Sequence, residues 1–99
     1  MTIEKKLENG TLTLGLTGRL DTVTAPQLEK VIQGEMDGIQ KLILDLADLE
    51  YISSAGLRVL LTAQKIMSRK DGMEIRNPNE LVMEVFEVTG FTDILDIRE

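Results

Sequence analysis

The sequence has no cysteine and no histidine. The first absence excludes disulfides and thiolate chemistry and suits a cytoplasmic setting. The second removes the commonest general base and the commonest neutral metal ligand, so any enzyme here would work with carboxylates, lysines or serine hydroxyls. Long apolar runs are also missing. Apolar residues make up 42% of the chain, but in short segments, which points to a soluble globular protein rather than a membrane-spanning one. The opening MTIEKKLENG carries charges where a signal peptide would need its apolar segment, so no export signal is expected. There is no Gly-x-x-x-x-Gly-Lys loop and no metal-ligand cluster, so no cofactor and no metal are expected. Basic residues are in deficit, 11 against 17 acidic for a net charge of −6. That balance repels phosphate backbones and argues against nucleic acid as a partner, leaving a protein or a small ligand.

What is present fits one domain over residues 1–99, enough for a single modest core. Residues 2–7 and 11–17 flank Asn9-Gly10, and Leu12, Leu14 and Leu16 alternate with polar or small residues, which predicts a β-hairpin with a two-residue loop. Thr24, Pro26 and Gln27 form an N-cap signature ahead of Leu28, Val31, Ile32 and Met36 at helical spacing. KLILDL (41–46) reads as a strand buried on both faces. A second helix is predicted from near Ser54 to about Lys70, ended by Asp71-Gly72, and MEIRN (73–77) as a strand. Asn77 as cap, Pro78 in the first helical position and Glu80 three after the cap open a third helix that stops at Gly90. TDILDI (92–97) is a last short strand. The order predicts an α/β fold: a mixed sheet of four or five strands that opens with the hairpin, is parallel beyond it, and is packed with three or more helices.

The second helix carries more apolar surface than one sheet face needs. Leu57, Leu60, Leu61 and Met67 share a side, and Val59, Ala63 and Ile66 widen the arc past half the circumference. Arg58, Thr62, Lys65 and Arg69 form the remaining stripe, either a solvated face or an edge that meets an acidic partner or a phosphate. At its start stands LEYISSAGLRVLL (49–61). Capping needs only one serine, and Gly56 costs about 1 kcal/mol relative to alanine inside a helix. Ala55 and Gly56 would leave bare backbone beside a hydroxyl, where another molecule could approach closely. A catalytic Ser54 would need a base from Lys65, Lys70, Asp21, Asp45 or Asp48, and no Ser-Lys or Gly-x-Ser-x-Gly pattern surrounds it. A hydroxyl that receives chemistry from another enzyme needs only exposure and room.

Three segments, LTGRLDTVTAPQLEKVI (16–32), LILDLADLEYISSAGLRVLL (42–61) and VFEVTGFTDIL (85–95), together resemble a STAS domain, and most of all the free-standing bacterial anti-sigma factor antagonists. In those antagonists the pattern is usually Asp-Ser-[Ser/Thr]-Gly-Leu, and its first serine is phosphorylated by the anti-sigma factor, itself a kinase. The resemblance makes Ser54 the phosphoacceptor, with Asp21 of GRLD matching an aspartate that the family holds near this site. It places Ser53, Ala55, Gly56, Leu57 and Arg58 beside the phosphosite or at the partner contact. Ser53 stands where the aspartate is usual, so it is a rival acceptor, and Asp21 or Asp48 is left to supply a carboxylate. The implied function is a cytoplasmic, non-enzymatic switch. Unphosphorylated, it holds an anti-sigma factor serine kinase that binds the ATP; phosphorylated on Ser54, it releases that kinase, and a serine phosphatase resets it. No nucleic acid or membrane partner is implied. The alternative is a STAS subunit or scaffold that is never phosphorylated, such as a soluble component of a lipid transporter.

Overall fold

A computed structural model describes residues 1–98. The chain runs β1 (Thr2–Glu8), β2 (Thr11–Leu20), α1 (Ala25–Glu35), β3 (Lys41–Ile52), α2 (Ser54–Met67), β4 (Met73–Arg76), α3 (Glu80–Thr89) and β5 (Asp96–Arg98). Short 3-10 turns follow α1 at Met36–Gly38 and α3 at Phe91–Asp93. The sheet order is β1-β2-β3-β4-β5. The hairpin pairs antiparallel and every later pair is parallel. Asn9 and Gly10 have φ of 50° and 81°, the two left-handed residues that a two-residue hairpin turn requires.

A sheet whose order never reverses, joined by right-handed crossovers, collects its helices on one face. The core reflects this. Leu12, Leu14 and Leu16 of β2, Leu42, Leu44 and Leu46 of β3, and Met73 and Ile75 of β4 join Leu28, Leu60, Met67 and Phe86 of the helices in one apolar cluster. The opposite face holds Thr11, Thr13, Lys41, Ile43, Asp45 and Glu74 in cross-strand register. Ile43 and Glu74 are nonetheless buried. So β3 is buried on both faces over residues 42–44, but on the second face the cover comes from neighbouring side chains rather than a helix. Glu74 ion-pairs there with Lys41 and, at 3.1 Å, with Arg76. The hydrogen bond from Lys41, then the one from Arg76, holds its carboxyl below the ordinary range against the opposing effect of burial.

Several boundaries differ from the sequence expectation. Strand β3 continues to Ile52 because its outer half pairs with residues 17–20 of β2 across two register shifts. Helix α2 ends at Met67, and the chain then turns so that the Gly72 N–H reaches the Met67 carbonyl. Thr24 occupies the N-cap position of α1 but makes no side-chain cap. Helix α3 is capped by Asn79, whose Oδ1 accepts from the Val82 N–H at 2.8 Å, and not by Asn77, which takes φ of 59°. The last segment forms a 3-10 turn before a three-residue strand at 96–98.

Candidate functional site

The carboxyl ends of β2 and β3 lie side by side, with Leu20 paired to Ile52 and the Ser53 N–H bonded to the Leu20 carbonyl at 2.9 Å. This register brings two segments far apart in sequence to one end of the sheet: the 21–24 loop that leads into α1, and the start of α2. Ends of parallel strands are where α/β sheets usually present their functional groups.

Ser53 is extended, with φ of −102° and ψ of 176°, and its Oγ accepts from the Gly56 N–H at 3.5 Å, a long contact. Ser53 is therefore the N-cap, which leaves Ser54, the first residue of α2, exposed and free of that task. Ala55 is half-buried and Arg58 exposed. Gly56 and Leu57 face inward: Gly56 is buried, and a Cβ on it would stand 2.7 Å from Leu20 Cγ and 2.9 Å from Ile52 Cγ1. The expectation that Gly56 leaves room for an approaching molecule is corrected here. Its missing side chain makes room for the molecule's own core.

Asp21 lies on the opposite bank. Its Oδ1 accepts from the Val23 N–H at 3.0 Å and the Thr24 N–H at 3.1 Å. The Thr24 hydroxyl accepts from the Asp21 N–H at 2.9 Å and donates to the Arg19 carbonyl at 2.7 Å. The Thr24 N–H is the main cause of a carboxyl held below the ordinary aspartate value, with Val23 and Arg19 adding to it. Arg19 lies 3.9 Å from Asp21 Oδ2 and stacks 4.6 Å over the Tyr51 ring. The carboxylate is thus engaged in shaping its own turn. Asp48, the other candidate carboxylate, is placed on β3 against Thr17, three pairs before the Leu20–Ile52 end.

Between the banks runs an open groove of about 250 Å³ lined by Thr22, Ala25, Pro26, Glu29, Ala55, Arg58 and Val59. Sequence reasoning did not single out Thr22, Val23 or Glu29, and read Pro26 only as a helix-start residue. Val23, at 85% exposure the most exposed of the large apolar residues, is held out by the Asp21 turn. A valine with no place in either the strand or the helical periodicity was the available signal. Among the described residues no His/Cys/Asp/Glu group could hold a metal ion, and no helix is long and apolar enough to cross a membrane.

The family model for the STAS domain matches residues 2–99. The chain belongs to the STAS domain family. Among its relatives, the Bordetella bronchiseptica protein named as anti-sigma factor antagonist BtrV is 37% identical over 91 residues, covering 90% of this chain and 78% of that one. The anti-sigma-B factor antagonist of Bacillus subtilis is 29% identical, covering 96% and 88%. Among solved structures, a Thermotoga maritima protein named as an anti-sigma factor antagonist superposes with a TM-score of 0.90 at 27% identity, covering 98% of this STAS domain and 86% of that chain. The α/β fold with a five-stranded mixed sheet and three helices is that of the family.

Proposed function

We propose that this STAS domain is a cytoplasmic anti-sigma factor antagonist, a binding switch without catalytic activity of its own. Unphosphorylated, it holds an anti-sigma factor serine kinase; that kinase, using ATP it binds itself, phosphorylates Ser54 and is released, and a serine phosphatase reverses the mark. The observation that carries this reading is the division of labour at the head of α2. Ser53 accepts the capping hydrogen bond while its neighbour Ser54 is exposed, in a run, Ser54-Ala55-Gly56-Leu57, that matches the family's phosphoacceptor pattern at Ser54, Gly56 and Leu57, with Ala55 in place of its Ser or Thr. Relatives named as anti-sigma factor antagonists support the regulatory class.

In this reading Asp21 acts through the backbone. By fixing the 21–24 turn it presents Val23 and the groove wall to the partner, and Ala55 and Arg58 supply the other wall. Gly56 and Leu57 contribute by seating the helix rather than by touching the partner with their side chains. Ser53 replaces the usual aspartate with a neutral cap, so no carboxylate immediately precedes the acceptor hydroxyl.

The test is incubation with ATP and the serine kinases encoded by the same genome, followed by intact mass and phosphopeptide mapping. One phosphate on Ser54 is expected, lost in Ser54→Ala and retained in Ser53→Ala. Phosphate on Ser53 alone, or no phosphate with a kinase that binds the domain, would overturn the proposal.

A further inference from the structure

We infer that Arg58 is the intramolecular counter-ion of a phosphate on Ser54, an inference that rests on the reading of Ser54 as phosphoacceptor and names the residue that answers the mark. Ser54 and Arg58 are both exposed and stand one turn apart on α2. Their side chains therefore share one face of the helix, with Cβ atoms about 5–6 Å apart. A long helical side chain leans toward the N-terminus and covers the turn before its own Cα, which for Arg58 is the turn that opens with Ser54. An anion followed by a cation four residues on is also the favourable order for such a pair.

In the unmodified chain that guanidinium has no anion. Its neighbours three and four residues away along α2 are Ser54, Ala55, Leu61 and Thr62, all neutral, and the Thr62 hydroxyl donates to the Arg58 carbonyl at 3.0 Å. Among the described residues Arg58 makes no ion pair. Glu29 of α1 lines the same groove and is also exposed without an ion pair, so the groove keeps the two charges apart. Asp21 is committed to the 21–24 turn, and Arg19, on the same bank, lies against Asp21 and Tyr51. A phosphate on Ser54 would bring about −1.5 to −2 charges and three acceptor oxygens, and can take the guanidinium fork through two parallel bonds. It arrives on the same helix, so pairing asks for a change in one side chain and no movement of α1. Engaged in that way, the guanidinium is no longer offered to a partner in the groove. The mark then adds an anion and withdraws a cation from the surface that the unmodified chain presents.

The experiment uses the full chain with phosphoserine placed at position 54 during translation, so that no kinase is needed. The second ionisation of the phosphate, near a pKa of about 6 in an ordinary phosphoserine, is followed by phosphorus-31 NMR against pH at about 0.1 M salt. Arg58 favours the dianion, so the phosphate pKa should be lower by about 0.3–0.5 unit with Arg58 present than in Arg58→Gln, the scale of an exposed ion pair at this helical spacing. Arg58→Lys should recover only part of that shift, because an ammonium lacks the planar fork. The Arg58 Nε–H resonance should move on phosphorylation. Lys65→Gln is the control: Lys65 lies about 16 Å further along the axis, beyond the screening length of about 10 Å, and its loss should leave the phosphate pKa unchanged. Equal phosphate pKa values with and without Arg58, or a rise in Lys65→Gln as large as in Arg58→Gln, would overturn the inference. An Arg58-dependent shift in a chain that no serine kinase of the same genome phosphorylates would uphold this pair and remove the function proposed above.

Discussion

Replacing Gly56 by alanine separates two explanations of the same residue. If the glycine serves the fold, the added methyl must fit against Leu20 Cγ at 2.7 Å and Ile52 Cγ1 at 2.9 Å, inside the range that real contacts avoid. Leu20 and Ile52 are 0% and 1% exposed and sit on paired strands, so neither can swing aside without moving its own neighbours. Overpacking of this kind costs about 1–3 kcal/mol. Against it stands the helix propensity of alanine, worth at most about 1 kcal/mol over glycine, and only partly realised in the first turn. The net expectation is a loss of about 1–2 kcal/mol, or roughly 5–15 °C in Tm for a domain of this size. Urea unfolding followed by circular dichroism gives the number. Gly34→Ala is the control: Gly34 lies inside α1 with nothing within 4 Å of an added Cβ, so it should gain about 0.5–1 kcal/mol. A Gly56→Ala domain as stable as the wild type would refute the packing argument, and if partner binding were lost at the same time the glycine would belong to the interface after all.

Asn79→Ala removes both the cap on Val82 and the bond to the Leu49 carbonyl, and should lower stability by about 1–2 kcal/mol in the same unfolding assay, whereas Asn77→Gly, which relieves a left-handed φ of 59° at the loss of one 3.2 Å bond to Asp45, should change it by less than about 1 kcal/mol. Lys70→Met releases the carbonyls of Met36 and Ile39 that the ammonium joins to the end of α2; a loss of about 1–2 kcal/mol is expected. Asp21 has a folded pKa below its ordinary 3.8, so the stability it contributes is present above pH 3.8 and is lost as pH falls through the lower folded value. The amide resonances of Val23 and Thr24 should therefore titrate together below pH 3.8, and an Asp21→Asn chain should lack that transition.

Much of the fold was legible because its signals are local. Asn9-Gly10 dictates the hairpin, the alternating leucines of β2 mark one buried face, and Gly90 ends α3 with φ of 79°. The errors arose where a long-range contact chose between local candidates. Asn77 and Asn79 are equally good caps by type, and the bond from Asn79 to Leu49, thirty residues away, favours the second. Thr24 looked like a cap, but its hydroxyl oxygen accepts from the Asp21 N–H rather than from an N–H of the first turn. The head of α2 was legible as an exposed serine at a helix start. The reason for its glycine was not, because that lies in the register of Leu20 against Ile52.

The same geometry bears on how the proposed switch would work. A phosphate on Ser54 adds about −1.5 to −2 charges and three acceptor oxygens. Set on the first residue of α2, it faces the N–H groups of the opening turn and the positive end of the helix, an environment that favours an anion by about 0.3–1 kcal/mol. The cap on Ser53 and the inward packing of Gly56 and Leu57 do not involve the Ser54 side chain, so the domain has no reason to rearrange. A partner seated over Ala55 and Val23 would instead meet new bulk and charge on a protein already at −6. An unfavourable charge juxtaposition at an interface can cost several kcal/mol, and about 2.8 kcal/mol already weakens binding about a hundredfold. Ser54→Asp, with less charge and fewer oxygens, should weaken binding less than phosphorylation does. Calorimetry of both forms against the kinase, paired with amide spectra, tests the account. Shifts should be confined to the 21–24 loop and the first turns of α2, and release accompanied by shifts through β3, β4 and β5 would mean a conformational mechanism in place of this local one.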